Sequence, residues 1–226
     1  MRRFLVALLL LAGCGREQQP ALTAALTAAL TSPVDVELRW EPEAGVEGQV
    51  VEYANETGGA YVALGFVGPG VGMYEHPDLI PRTSFHYRVR SFRGPASEVL
   101  EVALPPGDEV PEADGHEWAE PVTGASGVRP VRDGDAAPTG FRAEVEHANG
   151  VLFSWVDQAE GEEGYFLEAK PSGAADFAVV AQLDPDVRSF GLITLPAEKN
   201  AAYRVRAYYS GATTNVARVT TGEPPG

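Results

Sequence analysis

Side-chain catalysis needs a nucleophile, a base and an orienting group within reach, or a metal held by three or four ligands. The four histidines, His76, His86, His116 and His147, are scattered along the chain. None stands at i, i+4 from another or beside a C-x-x-C pair, so a zinc site is not expected. His86 lies between Phe85 and Tyr87, on the outward face of a strand, and is expected at the surface. Neither a Gly-x-Ser-x-Gly elbow nor a phosphate-cradling glycine loop occurs. Asp133-Gly134-Asp135 and Asp184-Pro185-Asp186 lack the oxygen ligands and spacing of a calcium loop and read as solvated turns. Glu52 and Glu168 belong to different domains, whereas glycoside hydrolysis needs two carboxyls about 5–9.5 Å apart. These residues imply no enzyme, no metal and no cofactor. Cys14, the single cysteine, is the exception.

Cys14 closes the segment Met1-Arg2-Arg3-Phe4-Leu5-Val6-Ala7-Leu8-Leu9-Leu10-Leu11-Ala12-Gly13-Cys14. Two arginines precede an apolar run too short to span a bilayer, which takes about 20 residues, and small residues precede the cysteine. This is the pattern of a secretory signal. Leu11-Ala12-Gly13-Cys14 resembles the lipobox of bacterial lipoproteins, in which signal peptidase cuts before a lipidated cysteine. The resemblance implies a signal peptide over 1–13, lipid on Cys14, a tether over 14–19 and an extracytoplasmic place in the cell envelope. Gly15 follows the cysteine in place of Asp, which by analogy with Gram-negative sorting implies the outer membrane.

Without residues 1–13 the chain holds 15 basic and 32 acidic side chains, a charge of −17. Such a chain repels nucleic acid and anionic headgroups. One cysteine allows no disulfide framework, so packed cores must supply the stability.

Laid over itself with a shift of 116 residues, the chain repeats. Tyr87-Arg88-Val89-Arg90 returns as Tyr203-Arg204-Val205-Arg206, and Gly48, Glu52, Tyr61, Tyr74 and Leu79 return as Gly164, Glu168, Phe177, Phe190 and Leu195. Trp40 and Trp155 fall one residue out of register. Each copy reads as about seven short strands between turn signals, without helical period, which predicts an antiparallel sandwich. The expected core comprises Trp40, Leu79, Tyr87 and Val89 in one copy and Trp155, Leu195, Tyr203 and Val205 in the other. Glu52 and Glu168 should form cross-strand pairs with Arg88, Arg90, Arg204 and Arg206 on the outer face, worth about 0.2–1 kcal/mol each at a surface.

These residues resemble the fibronectin type III family: a tryptophan in strand B, an aromatic-rich strand C, a leucine before strand F, and Tyr-x-Val-x-Ala in strand F. Trp155, Gly164-Tyr165-Phe166-Leu167-Glu168, Leu195-Pro196 and Tyr203-Arg204-Val205-Arg206-Ala207 carry it in one copy. Trp40, Val50-Val51-Glu52-Tyr53, Leu79-Ile80-Pro81 and Tyr87-Arg88-Val89-Arg90-Ser91 carry it in the other. The resemblance implies an all-β fold of two tandem antiparallel β-sandwiches of fibronectin type III (immunoglobulin-like) type. The position of the family's corner tyrosine holds Phe85 and Ala201, so the corner hydroxyl bond is expected to be missing.

The domains are expected at 20–104 and 137–222, joined by a Pro/Gly-rich acidic linker over 105–136. A flexible linker of that length spans roughly 30 Å, which predicts two domains without a fixed interface. Residues 21–31 carry an alanine-rich period of four that favours helix, while their place before Trp40 favours strand A. Phe92 and Tyr208 are matched aromatics before the F–G turn, and Trp118 stands alone in the linker. All three are candidate binding residues, weighed against packing under loops. The whole reads as a non-catalytic interaction or spacer module, anchored through lipid on Cys14 and facing a protein or polysaccharide partner. The alternatives are a carbohydrate-binding accessory of a secreted degradative system, or an enzyme with an unrecognised site. Phe92 and Tyr208 packed inside would count against the first.

Overall fold

The structure, a computed structural model, describes residues 25–107 and 136–223. Cys14, Trp118 and most of the linker lie outside the described residues. Among the described residues the chain is all-β apart from one 3-10 turn, Pro196–Glu198.

In the first sandwich, β1 (Thr27–Ser32), β2 (Asp35–Arg39) and β5 (Met73–His76) make a three-stranded sheet in the order β1-β2-β5. Strand pairing therefore overrides helix propensity over Thr27–Ser32. Against this sheet pack β3 (Gly48–Ala54), β4 (Val62–Val67) and β6 (Ser84–Arg93). Period-two alternation sends Val51, Tyr87 and Val89 inward, onto Leu38 and Trp40. The buried Trp40 indole donates to Gln49 Oε1 at 2.7 Å.

The second sandwich repeats the plan. β8 (Thr139–His147), β9 (Gly150–Val156) and β12 (Ser189–Ile193) form its three-stranded sheet, with β9 in the middle. β10 (Gly164–Pro171), β11 (Ala178–Leu183) and β13 (Asn200–Thr213) form the facing sheet. Phe153, Trp155, Tyr165, Leu167, Tyr203 and Val205 fill the space between.

The last strand of each sandwich comes from the other repeat. β7 (Leu100–Ala103) follows the first copy in sequence yet pairs with β13 of the second, with Val102 opposite Ala201. β14 (Ala217–Thr220) follows the second copy yet pairs with β6 of the first, with Ala217 opposite Tyr87. The ranges 20–104 and 137–222 therefore assign both closing strands to the wrong sandwich. The cause lies in the hinges. Where a hairpin would turn back, the end of β6 runs on beside β13, pairing Phe92 with Ser210 and Arg93 with Tyr209. Gly94, at φ +139°, passes so close to the Ala207 carbonyl that a Cβ would have no room. Ser97 then donates its amide to Val205 O at 2.8 Å, and its hydroxyl accepts from Val205 N at 3.1 Å. Thr214 does the same to Val89, at 2.9 and 3.0 Å. One hinge is the pseudo-two-fold copy of the other.

The two four-stranded sheets thus fuse into one eight-stranded sheet through β6 and β13. This overturns the expectation of domains without a fixed interface, because the 105–136 linker is not the only connection. Backbone pairing, two exchanged strands and a third buried cluster also join them.

Two smaller expectations also change. Leu195 is 65% exposed, whereas Leu79 is buried. Thr194 takes the equivalent buried place: its amide donates to Asn149 O as that of Leu79 donates to Val34 O. The corner therefore follows the one-residue offset of the tryptophans, which turns Leu195 out into solvent. The corner hydroxyl bond is present in the second copy, made by Tyr203 itself, which donates to Glu198 O at 2.7 Å. In the first copy the Tyr87 hydroxyl lies 3.0 Å from His76 Nδ1.

Candidate functional site: the seam between the sandwiches

On β3 and β6 the side chains that point away from the core are Val50, Glu52, Arg88, Arg90 and Phe92. On β10 and β13 they are Phe166, Glu168, Arg204, Arg206 and Tyr208. Register puts Glu52 opposite Arg88 and Glu168 opposite Arg204. Glu52 accepts from Arg88 Nε at 2.7 Å and Arg90 Nη2 at 3.0 Å. Glu168 accepts from Arg204 Nε and from Arg206 Nε, the latter at 3.0 Å. A second ring of contacts crosses between the repeats. Arg90 Nη1 meets Glu163 at 2.8 Å and Arg206 Nη1 meets Glu47 at 3.0 Å. Glu47 and Glu163 are themselves 116 residues apart. The Arg88 guanidinium stacks 3.9 Å over the Tyr61 ring, and that of Arg204 4.0 Å over Phe177.

The expected Glu–Arg pairs are thus formed, but they are not surface pairs. Glu52 and Glu168 keep 6% of their side-chain exposure and Arg206 keeps 3%. Covering them changes the energetics. Desolvation makes the intact cluster a weak net contributor, while loss of one partner strands a buried charge.

Phe92 and Tyr208 are buried, stacked with Phe166 and Val50 in the seam. Phe166 lies parallel to Tyr208 at 3.9 Å and edge-on to Phe92 at 4.7 Å. Neither is a platform for a sugar or a partner. Their spacing to Gly48 and Gly164 has a steric reason: a Cβ on Gly48 would overlap the Phe92 ring, and one on Gly164 would crowd the Tyr208 ring. The third candidate, Trp118, lies outside the described residues.

Each sandwich sets three strands, A-B-E, against four, C′-C-F-G, with G supplied by the other repeat. No protein-family model and no curated protein matches the chain. Among solved structures the chain is similar to the chicken CNTN1 FN1-FN3 domains, at 16% identity over 92% of this chain and 69% of that one, with a TM-score of 0.28. It is also similar to a two fibronectin type-III domain segment from chicken tenascin, at 14% identity over 88% of this chain and 99% of that one, with a TM-score of 0.27. The fibronectin type III fold is read from the strand order of each sandwich.

Over the seam cluster, the outer edges of the fused sheet, β4 and β11, approach each other. They flank an open groove of about 670 Å³ lined by Phe66, Phe177, Glu47, Asp176 and Arg204. His86, expected at the surface, is buried, with Nε2 3.1 Å from the Thr57 hydroxyl. Asp157, Glu162 and Asp186 gather three carboxylates. Asp157 accepts from the Tyr165 hydroxyl and the Ala159 amide, and Glu162 from the Asp186 amide, so two of the three already act as turn clasps.

Glu47 and Glu163 were missed by sequence reasoning, although a signal existed: each immediately precedes the matched glycine, Gly48 or Gly164. That pairing makes sense only once the repeats face each other.

His76 sits among Tyr53, Phe85 and Tyr87 rings, and burial pushes its pKa below the usual 6.5. The neutral ring is therefore the folded form. As pH falls from 7.5 towards 5.5, the unfolded chain takes up a proton that the fold resists, so stability falls with pH in that window. The first sandwich should lose stability across that window. Urea midpoints at a series of pH values should show this slope, and His76→Gln should flatten it.

Proposed function

We propose that this chain is an extracytoplasmic lipoprotein, held to the envelope by lipid on Cys14, that serves as a rigid non-catalytic interaction or spacer module. The observation that carries the reading is the exchange of closing strands, which makes two sandwiches one mechanical unit. A spacer must hold its far end at a set place, and strand pairing does that where a free linker would not. Both described ends lie on the first sandwich: Leu26 and Asn215 exchange two hydrogen bonds, at 2.8 and 3.1 Å. A tether leaving β1 would thus hold the first sandwich towards the membrane and leave the second to meet a protein or polysaccharide partner. Among the described residues no helix is long and apolar enough to cross a membrane. In the proposed anchor, each buried acyl methylene would add about 0.8 kcal/mol.

The test is metabolic labelling with a fatty-acid analogue, followed by fractionation. Wild-type protein should carry label and sediment with membranes, and Cys14→Ala should lose both. An unlabelled wild-type protein would overturn the anchor. Pull-down with residues 15–226 from envelope extract, beside a glycan panel, tests the interaction role separately.

A further inference from the structure

We propose that the strand exchange seen within one chain also joins two chains, so that the closing strand of each sandwich is supplied by a second copy of this protein. Neither repeat can complete itself, since its own hinge carries the closing strand away along the neighbouring F strand. What a repeat requires is the other repeat's strand, and nothing in the contacts requires that strand to come from the same molecule.

The contacts are those of an isologous dimer. β6 meets β13 near the pseudo-two-fold, β14 covers β6 and β7 covers β13. Ser97 on Val205 is matched by Thr214 on Val89, and Glu47–Arg206 by Glu163–Arg90. In a reciprocal pair of chains every one of these contacts would re-form between the first repeat of one copy and the second of the other. No new surface is needed. The two assemblies differ only in whether the linker is closed within one chain or crosses between two. Joining the two repeats in one chain gives an effective concentration on the order of millimolar. The monomer should therefore dominate at micromolar concentration, and the exchanged dimer should accumulate when folding occurs near millimolar. A dimer would double the lipid anchors, but its formation does not depend on lipidation of Cys14.

Ser84 and Thr220 report the exchange directly. They face each other across β6 and β14 with their hydroxyls 2.9 Å apart. In the chain from Gly15 onward, which contains every described element, Ser84→Cys with Thr220→Cys should close a disulfide within the monomer and between chains in the dimer. The variant is unfolded, refolded at about 1 µM and about 1 mM, oxidised, and run on non-reducing gels. Monomer is expected at the low concentration and a covalent dimer at the high one, absent from either single variant. Native mass spectrometry of the unsubstituted chain, refolded the same way, should show twice the mass. Oxidised monomer alone at both concentrations, with no dimer by mass, would overturn the proposal. If the disulfide fails to form, the mass measurement decides alone.

Discussion

Ending the chain after Asn215 should unfold the first sandwich and spare the second. The truncation removes β14, whose residues 217–220 pair with residues 84–87 of β6. Ala217 is part of the first core and Val219 packs against it. Several backbone hydrogen bonds at about 1 kcal/mol each, with the lost apolar burial, amount to roughly 5 kcal/mol. That is comparable to the whole stability of a domain this size, about 5–15 kcal/mol. Hydrogen exchange should therefore show protection lost across β2, β3 and β6 while β9 and β10 keep theirs. The mirror experiment lies in the first repeat. Val102→Asp places a charge in the second core, where Val102 packs with Leu167 and Tyr203, and should strip protection from β10 and β13. If each change harmed the sandwich of its own repeat instead, the exchanged pairing would be wrong.

The second large effect belongs to the buried ion cluster. Arg206→Ala should destabilise the protein towards the lower end of about 3–5 kcal/mol, the usual result of breaking a buried ion pair, because Glu168 keeps the part-exposed Arg204 as its remaining partner. Arg206 is 2% exposed and reaches Glu168, Glu47 and the Gly94 carbonyl. The equivalent Arg90 keeps 20% of its side-chain exposure, so water can replace part of what Arg90→Ala removes and its cost should be smaller. Pairing Arg206→Met with Glu168→Gln removes both charges and should recover part of the loss. Urea midpoints for the single and double variants measure this. Equal, sub-kilocalorie effects for Arg206→Ala and Arg90→Ala would mean that the pairs behave as ordinary surface ion pairs.

Several features were readable in the chain because they are local. Alternation set the strands and sent Tyr87, Val89, Tyr203 and Val205 inward, since side chains of a strand alternate whatever the partner. The repeat placed Glu52 beside Arg88 and Glu168 beside Arg204, since C and F strands pair within each copy. Burial of those charges was not legible. A row of charges marks a face away from its own core, but does not say whether water or another sheet lies beyond it. Phe92 and Tyr208 were ambiguous for the same reason, and Leu195 turned outward through a one-residue offset that Thr194 absorbs.

By itself, then, the sequence determined two copies of one sandwich, their strands, their cores apart from Leu195, and the ion pairs within each outer face. Only the tertiary structure decided which closing strand completes which copy. Both F strands carry Tyr-Arg-Val-Arg, so the local pattern of an F strand does not say which G strand it takes. The choice is made at the seam. There β6 and β13 pair with each other, Gly94 presses against Ala207, and Ser97 and Thr214 dock on opposite F strands. Each hinge is committed to the neighbour before its closing strand begins.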